Sequence, residues 1–179
     1  MKIRNIIAGG AVLFGAGAYA SAAPAASLQS PDSDALVAGY QVIQFDLKEC
    51  EALTGKTGVS ANGSGLVSPD ILKVSTKICN DAQANLPKLE ALAKANDFDL
   101  PEGLPYTLTA RYAALIRNKD AKLGINYLQD QISSHEDALA IFQDEAANGT
   151  NADIKAAAAE IIPTVQENLT LLQQTLAKH

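Results

Sequence analysis

Tryptophan is absent from this 179-residue chain, and tyrosine (5), phenylalanine (4), cysteine (2) and methionine (1) are scarce. So few aromatics beside so much alanine and leucine argue against a β-sandwich and for helices packed through small and aliphatic side chains. Basic residues are also in short supply, 14 Lys and Arg against 20 Asp and Glu. A net-acidic surface repels phosphate backbones and removes nucleic acid from the expected partners. Histidine occurs twice, at His135 and at the terminal His179, the latter read as having no role. A di-iron oxidase draws Glu-x-x-His pairs from its bundle interior. Here Ile132 stands three residues before His135 and no second internal histidine exists, which nearly excludes that chemistry. Also missing are a Gly-rich phosphate loop, a Ser-centred nucleophile elbow and a metalloprotease helix. No Cys-x-x-Cys is present to make a redox thiol.

What is present begins with MKIRNIIAGGAVLFGAGAYASAAPAAS. Lys2 and Arg4 precede a short apolar stretch, Ile6 to Tyr19, and Ala20-Ser21-Ala22 supplies a small-x-small cleavage site. Residues 1–22 therefore read as a signal peptide. The stretch falls short of the about 20 residues a membrane span needs, so a retained anchor is the weaker reading. Removing 1–22 takes away two cations and no acid, moving the formal charge from −6 to −8. Residues 23–31 read as a disordered lead, and 32–179 as one domain large enough for its own core.

Leu36, Tyr40, Ile43, Leu47 and Cys50 step by four and three and predict a first helix over 33–53. Residues 54–67 hold four glycines without periodicity and read as a loop. Ser68-Pro69-Asp70 is a helix start, and Ile71, Val74, Ile78, Asn85, Leu89 and Leu92 carry a second helix over 69–95. A short third helix is expected over 106–117. The long fourth, 120–148, runs on Leu128, Ile132, His135, Leu139, Phe142 and Ala146. Gly149 stops it, and Thr150 or Asn151 caps a last helix with Ile154, Ala158, Ile161, Val165, Asn168, Leu172 and Leu176 on its seam. Pro87 and Pro163 lie inside helices. The fold expected is an all-α, ferritin-like up-down bundle of four main helices plus one short one.

Four polar residues fall on the apolar seams: Asp81, Asn85, His135 and Asn168. Two readings compete. Such groups can hydrogen-bond one another and fix helix register. Alternatively Asp81, His135 and Asn168, helped by Gln131, form a weak site for a divalent transition metal. The first is favoured, with no catalytic residue and no cofactor. The acid pairs Glu49/Glu51, Glu136/Asp137 and Asp144/Glu145 read as solvated faces. Cys50 and Cys79 lie on or beside seams, and the leader directs the chain to an oxidising compartment. A disulfide between them is preferred over two buried free thiols.

The segments Ile78-Cys-Asn-Asp-Ala-Gln-Ala-Asn85, Tyr127-Leu-Gln-Asp-Gln-Ile-Ser-Ser-His135 and Ile162-Pro-Thr-Val-Gln-Glu-Asn-Leu169 resemble a bacterial exported family. It is known as domain of unknown function 4142, or predicted outer membrane protein. The resemblance covers roughly 70–178 and implies a ferritin-like bundle. Members commonly carry histidines where this chain has Asp81 and Asn168, so only His135 is kept. The expected function is that of a periplasmic or secreted, non-enzymatic module that binds a protein or small ligand in the cell envelope. The alternative is a ferritin-like metal-binding protein. The family label adds outer-membrane association, for which an acidic helical chain gives no physical ground.

Overall fold

The computed structural model describes residue 28 and residues 30–54, 67–118 and 122–179. The expected signal peptide over 1–22, most of the lead over 23–31 and nearly all of the loop over 54–67 lie outside the described residues. The lead is not featureless where it is described. Leu28 packs against the core around Leu36 and Ile154, and Ser30 Oγ donates to Asp34 at 2.5 Å.

The described residues form five helices in order: α1 (Asp32–Thr54), α2 (Pro69–Ala95), α3 (Tyr106–Leu115), α4 (Lys122–Asn148) and α5 (Ala152–Leu176). All five agree with the sequence periodicity to within two residues at each end. Among the described residues there is no strand. Asn151 is the cap of α5, its side-chain oxygen accepting from the backbone N–H of Asp153 and Ile154 at 3.0 and 3.2 Å. Ser68 starts α2 differently. Its hydroxyl donates to Asp70 at 2.5 Å rather than capping the backbone, and Asp70 accepts from Ile71 N–H instead.

Contacts at the helix ends fix the directions. Asp32 at the start of α1 meets Thr150 and Asn151 at the α4–α5 turn, and Asn96 after α2 meets Asn151. At the opposite end, the last residue, His179, bonds Asp70 in the first turn of α2 at 3.2 Å. His179 thus ties the end of the last helix to the start of α2. The main helices therefore run up, down, down, up. Residues 96–118, with α3 among them, lie between α2, which ends at one end of the bundle, and α4, which starts at the other. A single long crossover is the connectivity of ferritin-like bundles. The closest pairings are α1 with α2 and α4 with α5, the second joined by the three-residue turn 149–151.

The apolar core divides into three groups. Leu53, Ile71, Ile78, Leu123, Tyr127, Leu128 and Leu172 fill the crossover end. Ala138, Phe142, Ala158 and Val165 lie midway, and Ala35, Leu36, Ala93 and Ile154 close the far end. Cys50 and Cys79 are joined in a disulfide between α1 and α2, with Cα atoms 6.0 Å apart at a sequence separation of 29. No helix among the described residues is long and apolar enough to cross a membrane.

Candidate functional site

Two acids break the sequence reading of α1. Glu49, expected on a solvated face, is fully buried, and Asp46 is 5% exposed. The buried face of α1 runs through Ala35, Leu36, Gly39, Asp46, Glu49, Cys50 and Leu53. Leu47 and Tyr40, placed on the seam by apolar spacing alone, are only partly buried. The signal was available. Asp46 lies midway in the seven-residue steps from Gly39 to Leu53, and Glu49 follows Ala35 and Val42 at the same interval. Glu145 is corrected likewise, being fully buried, whereas Glu51, Glu136, Asp137 and Asp144 are exposed as expected.

Burial of these acids is supported by a polar layer between α1 and α4. The Gln131 amide donates to Glu49 Oε2 at 3.0 Å and reaches Asp46 as well. Burial pushes the Asp46 carboxyl up to about 8 and Glu49 well above the usual carboxylate range, against the opposing effect of Gln131. Asp46 is therefore largely neutral near pH 7, and burial drives Glu49 in the same direction. Tyr127, fully buried and facing Ser75, is raised for the same reason. Outside this layer α3 closes the flank. Arg111 lies 5.1 Å over the Phe45 ring and pairs with Asp130 through Nε at 3.1 Å, and its Nη2 donates to the Asp130 carbonyl.

The sequence-predicted residues separate into two groups. Asp81 and Asn168 are brought together by a hydrogen bond from Asn168 Nδ2 to Asp81 Oδ2 at 3.1 Å. Lys77 completes the set, its Nζ donating to Asp81 Oδ2 and Asn168 Oδ1, both at 2.9 Å, and pairing with Glu167 at 3.2 Å. Burial lowers the Lys77 pKa, but Asp81 and Glu167 outweigh it and raise it. An ammonium thus stands beside Asp81, where a metal ion would have to go. His135 belongs to the neighbouring part of α4. Its Nδ1 faces the Gln131 carbonyl at 3.0 Å, so Nδ1 carries the proton and Nε2 is an acceptor. Burial lowers the imidazole to about 4, leaving it neutral. Among the described residues, no three His, Cys, Asp or Glu side chains are grouped so as to hold a metal ion.

Both groups open onto one cavity of about 310 Å³ between α1, α2, α4 and α5. Its wall is apolar, built by Leu36, Val42, Ile78, Leu89, Phe142, Ile161 and Val165 with several alanines. Gly39 belongs to this wall because a Cβ there would stand 2.9 Å from Leu89 Cδ1. Asp46, Asp81, Asn85, His135 and Asn168 supply its polar part, and exposed Lys88 and Glu160 also line it.

The sequence model of "Domain of unknown function (DUF4142)" matches residues 66–175, more than half of the chain. The chain belongs to this family. The match begins just before α2 and ends within α5, so α1, which brings Asp46 and Glu49 to the site, lies outside it. No curated protein and no solved structure matches the chain.

Proposed function

We propose that this member of the DUF4142 family is an exported, non-enzymatic binding protein of the cell envelope that holds a small apolar molecule between its four main helices. The observation that carries this reading is the interhelical cavity: about 310 Å³, apolar-walled, with buried polar side chains on one part of it. Small-molecule sites combine these features, a mostly apolar concavity with a few polar groups that orient the ligand, and bundles place them between helices. The volume is about twice that of an engineered apolar cavity of about 150 Å³ known to admit benzene. Export is supported by the Cys50–Cys79 disulfide, which belongs in an oxidising compartment, and by the leader-like sequence of residues 1–22.

Titration with the neutral, environment-sensitive dye N-phenyl-1-naphthylamine tests the binding role. The expected result is a saturable fluorescence rise at one dye per chain. It should be lost in Ala157→Phe, which fills the cavity from α5 while helicity by circular dichroism is kept. Ala82→Leu fills it from α2 and serves the same purpose if the first variant does not fold. Saturable binding unchanged in a folded cavity-filling variant, or no binding at all, would overturn the reading. Cell fractionation checks export, expected to place the chain outside the cytoplasm with its disulfide formed.

A further inference from the structure

We propose that the polar layer between α1, α2 and α4 is a cation site, in which oxygens of Asp46, Glu49, Ser75, Tyr127 and Gln131 hold one Ca2+ ion. It adjoins the cavity but is separate from the binding role above. Five buried oxygens there lack a hydrogen-bond partner: Asp46 Oδ1, Glu49 Oε1, Ser75 Oγ, Tyr127 Oη and Gln131 Oε1. Folded chains pair nearly all their buried polar atoms, so five such atoms in one layer need a cause. The groups belong together. Gln131 donates to Glu49 Oε2 at 3.0 Å and reaches Asp46, and each acid keeps one oxygen free. Tyr127 faces Ser75 and lies within electrostatic reach of both acids. Ser75 is the clearest sign. Helical Ser and Thr commonly return their hydroxyl to a carbonyl one turn back, as Thr54, Thr76, Ser134, Thr170 and Thr175 do. Fully buried Ser75 does not, and its oxygen stays available to a ligand.

The chemistry of the set points to a hard cation. Carboxyl, amide and hydroxyl oxygens are what such ions take, and without thiolate or imidazole the set does not suit zinc or copper. Hydroxyl and carboxyl protons could join these oxygens to one another, yet none is in hydrogen-bonding geometry with the next. Oxygens bound to Ca2+ at about 2.4 Å stand about 3.4 Å apart when they subtend a right angle at the ion, so a shared ion spaces its ligands in this way. Two carboxylates balance one divalent charge. Arg111, which acts on Glu49 from α3, does not supply that charge, being bonded to Asp130 instead. Each acid that is protonated in the metal-free chain gives its proton up to solvent as the ion enters. Mg2+ keeps several waters, whereas a closed layer of protein oxygens suits Ca2+. The disulfide braces the site, since Glu49 adjoins Cys50 and Ser75 stands one turn before Cys79. Asp46 also lines the cavity, which gives the ion a way in.

Calorimetric titration of the chelator-stripped full chain with Ca2+, Mg2+ and Zn2+ in separate runs tests the assignment. Ca2+ is expected to bind once per chain, about tenfold or more tightly than Mg2+. At a hundredfold excess over Kd it should raise the melting temperature by about 5 °C or more. Glu49→Gln, which keeps the side chain's size, should weaken Ca2+ binding by about tenfold or more. Ser75→Ala serves the same purpose if that variant does not fold. Exposed Glu51, changed to Gln, should leave binding as in the wild type and so separates the site from the acidic surface. No response to Ca2+, or Mg2+ binding as tightly as Ca2+, would overturn the proposal. Ca2+ binding unchanged in a folded Glu49→Gln or Ser75→Ala chain would do the same. Tighter binding of Zn2+, abolished by His135→Ala, would place the metal at the cavity instead and also overturn it. If neither site variant folds, the wild-type order of ions and its melting shift decide alone.

Discussion

Asp32, the first residue of α1, caps the turn into α5 nearly 120 residues later. Its Oδ1 accepts from the backbone N–H of Thr150 and Asn151 at 2.8 and 3.0 Å, and its Oδ2 from Thr150 Oγ1 at 2.5 Å. Burial alone would raise this carboxyl, but these bonds outweigh it and hold it below the usual range. Asp32→Ala removes both acceptor oxygens and leaves the three half-buried donors of Thr150 and Asn151 without them. Chemical denaturation should show a loss of about 1–3 kcal/mol at pH 7. Because the folded pKa is depressed, this stability is present above the unfolded value of 3.8 and disappears as pH falls through the folded one. The wild type and variant curves should therefore converge in acid. A constant gap down to pH 2 would refute the capping role.

Glu145 behaves oppositely. It is fully buried, its carboxyl faces Asp32, and burial followed by Asp32 pushes it up to about 7. With Asp32 held ionised by its hydrogen bonds, the buried Glu145 beside it is the carboxyl that keeps its proton. Between 4.5 and 7 the folded chain binds more protons than the unfolded one, so stability falls as pH rises through that window. Glu145→Gln keeps a donor and cannot ionise. Its melting temperature should exceed that of the wild type at pH 8 by about 2–4 °C for each kcal/mol of penalty removed, with little difference at pH 4.5. A lower melting temperature at pH 8 would count against a raised Glu145 pKa.

His135→Leu tests the structural role of the imidazole. The imidazole is buried and neutral with its pKa near 4, so the unfolded chain takes up more protons between 6.5 and 4, and stability falls with pH there. Leucine removes that window. The variant should fold and match or exceed the wild type in stability at pH 5. A loss above about 3 kcal/mol at pH 7 would instead mean that His135 holds together a polar network the rest cannot satisfy.

Reducing the Cys50–Cys79 bond frees a loop of about 30 residues between α1 and α2, which should cost about 2–4 kcal/mol by the chain-entropy account. The native chain should resist thiol alkylation until reductant is added, then take up two labels and melt at lower temperature. Labelling of both thiols without reductant would contradict the bond.

The sequence by itself determined the helices. Stepwise apolar spacing, Pro69 at a helix start, Asn151 as a cap and Gly149 as a stop are local signals. Each acts through backbone geometry within a few residues, so each is readable without a partner helix. The pairing of Cys50 with Cys79 was also legible, because few alternatives existed. The interior was not. Apolar spacing marks which face could be buried, but Asp46, Glu49 and Glu145 are acids buried because Gln131, Asp32 and the surrounding helices hold them neutral or pair them. Those partners lie on other helices, and only the tertiary structure brings them within reach. Likewise Asp81 and Asn168 were foreseen on seams facing one another. That Lys77 stands between them, while His135 keeps an unprotonated nitrogen beside an apolar cavity, depends on how four helices pack around a space none of them encloses alone.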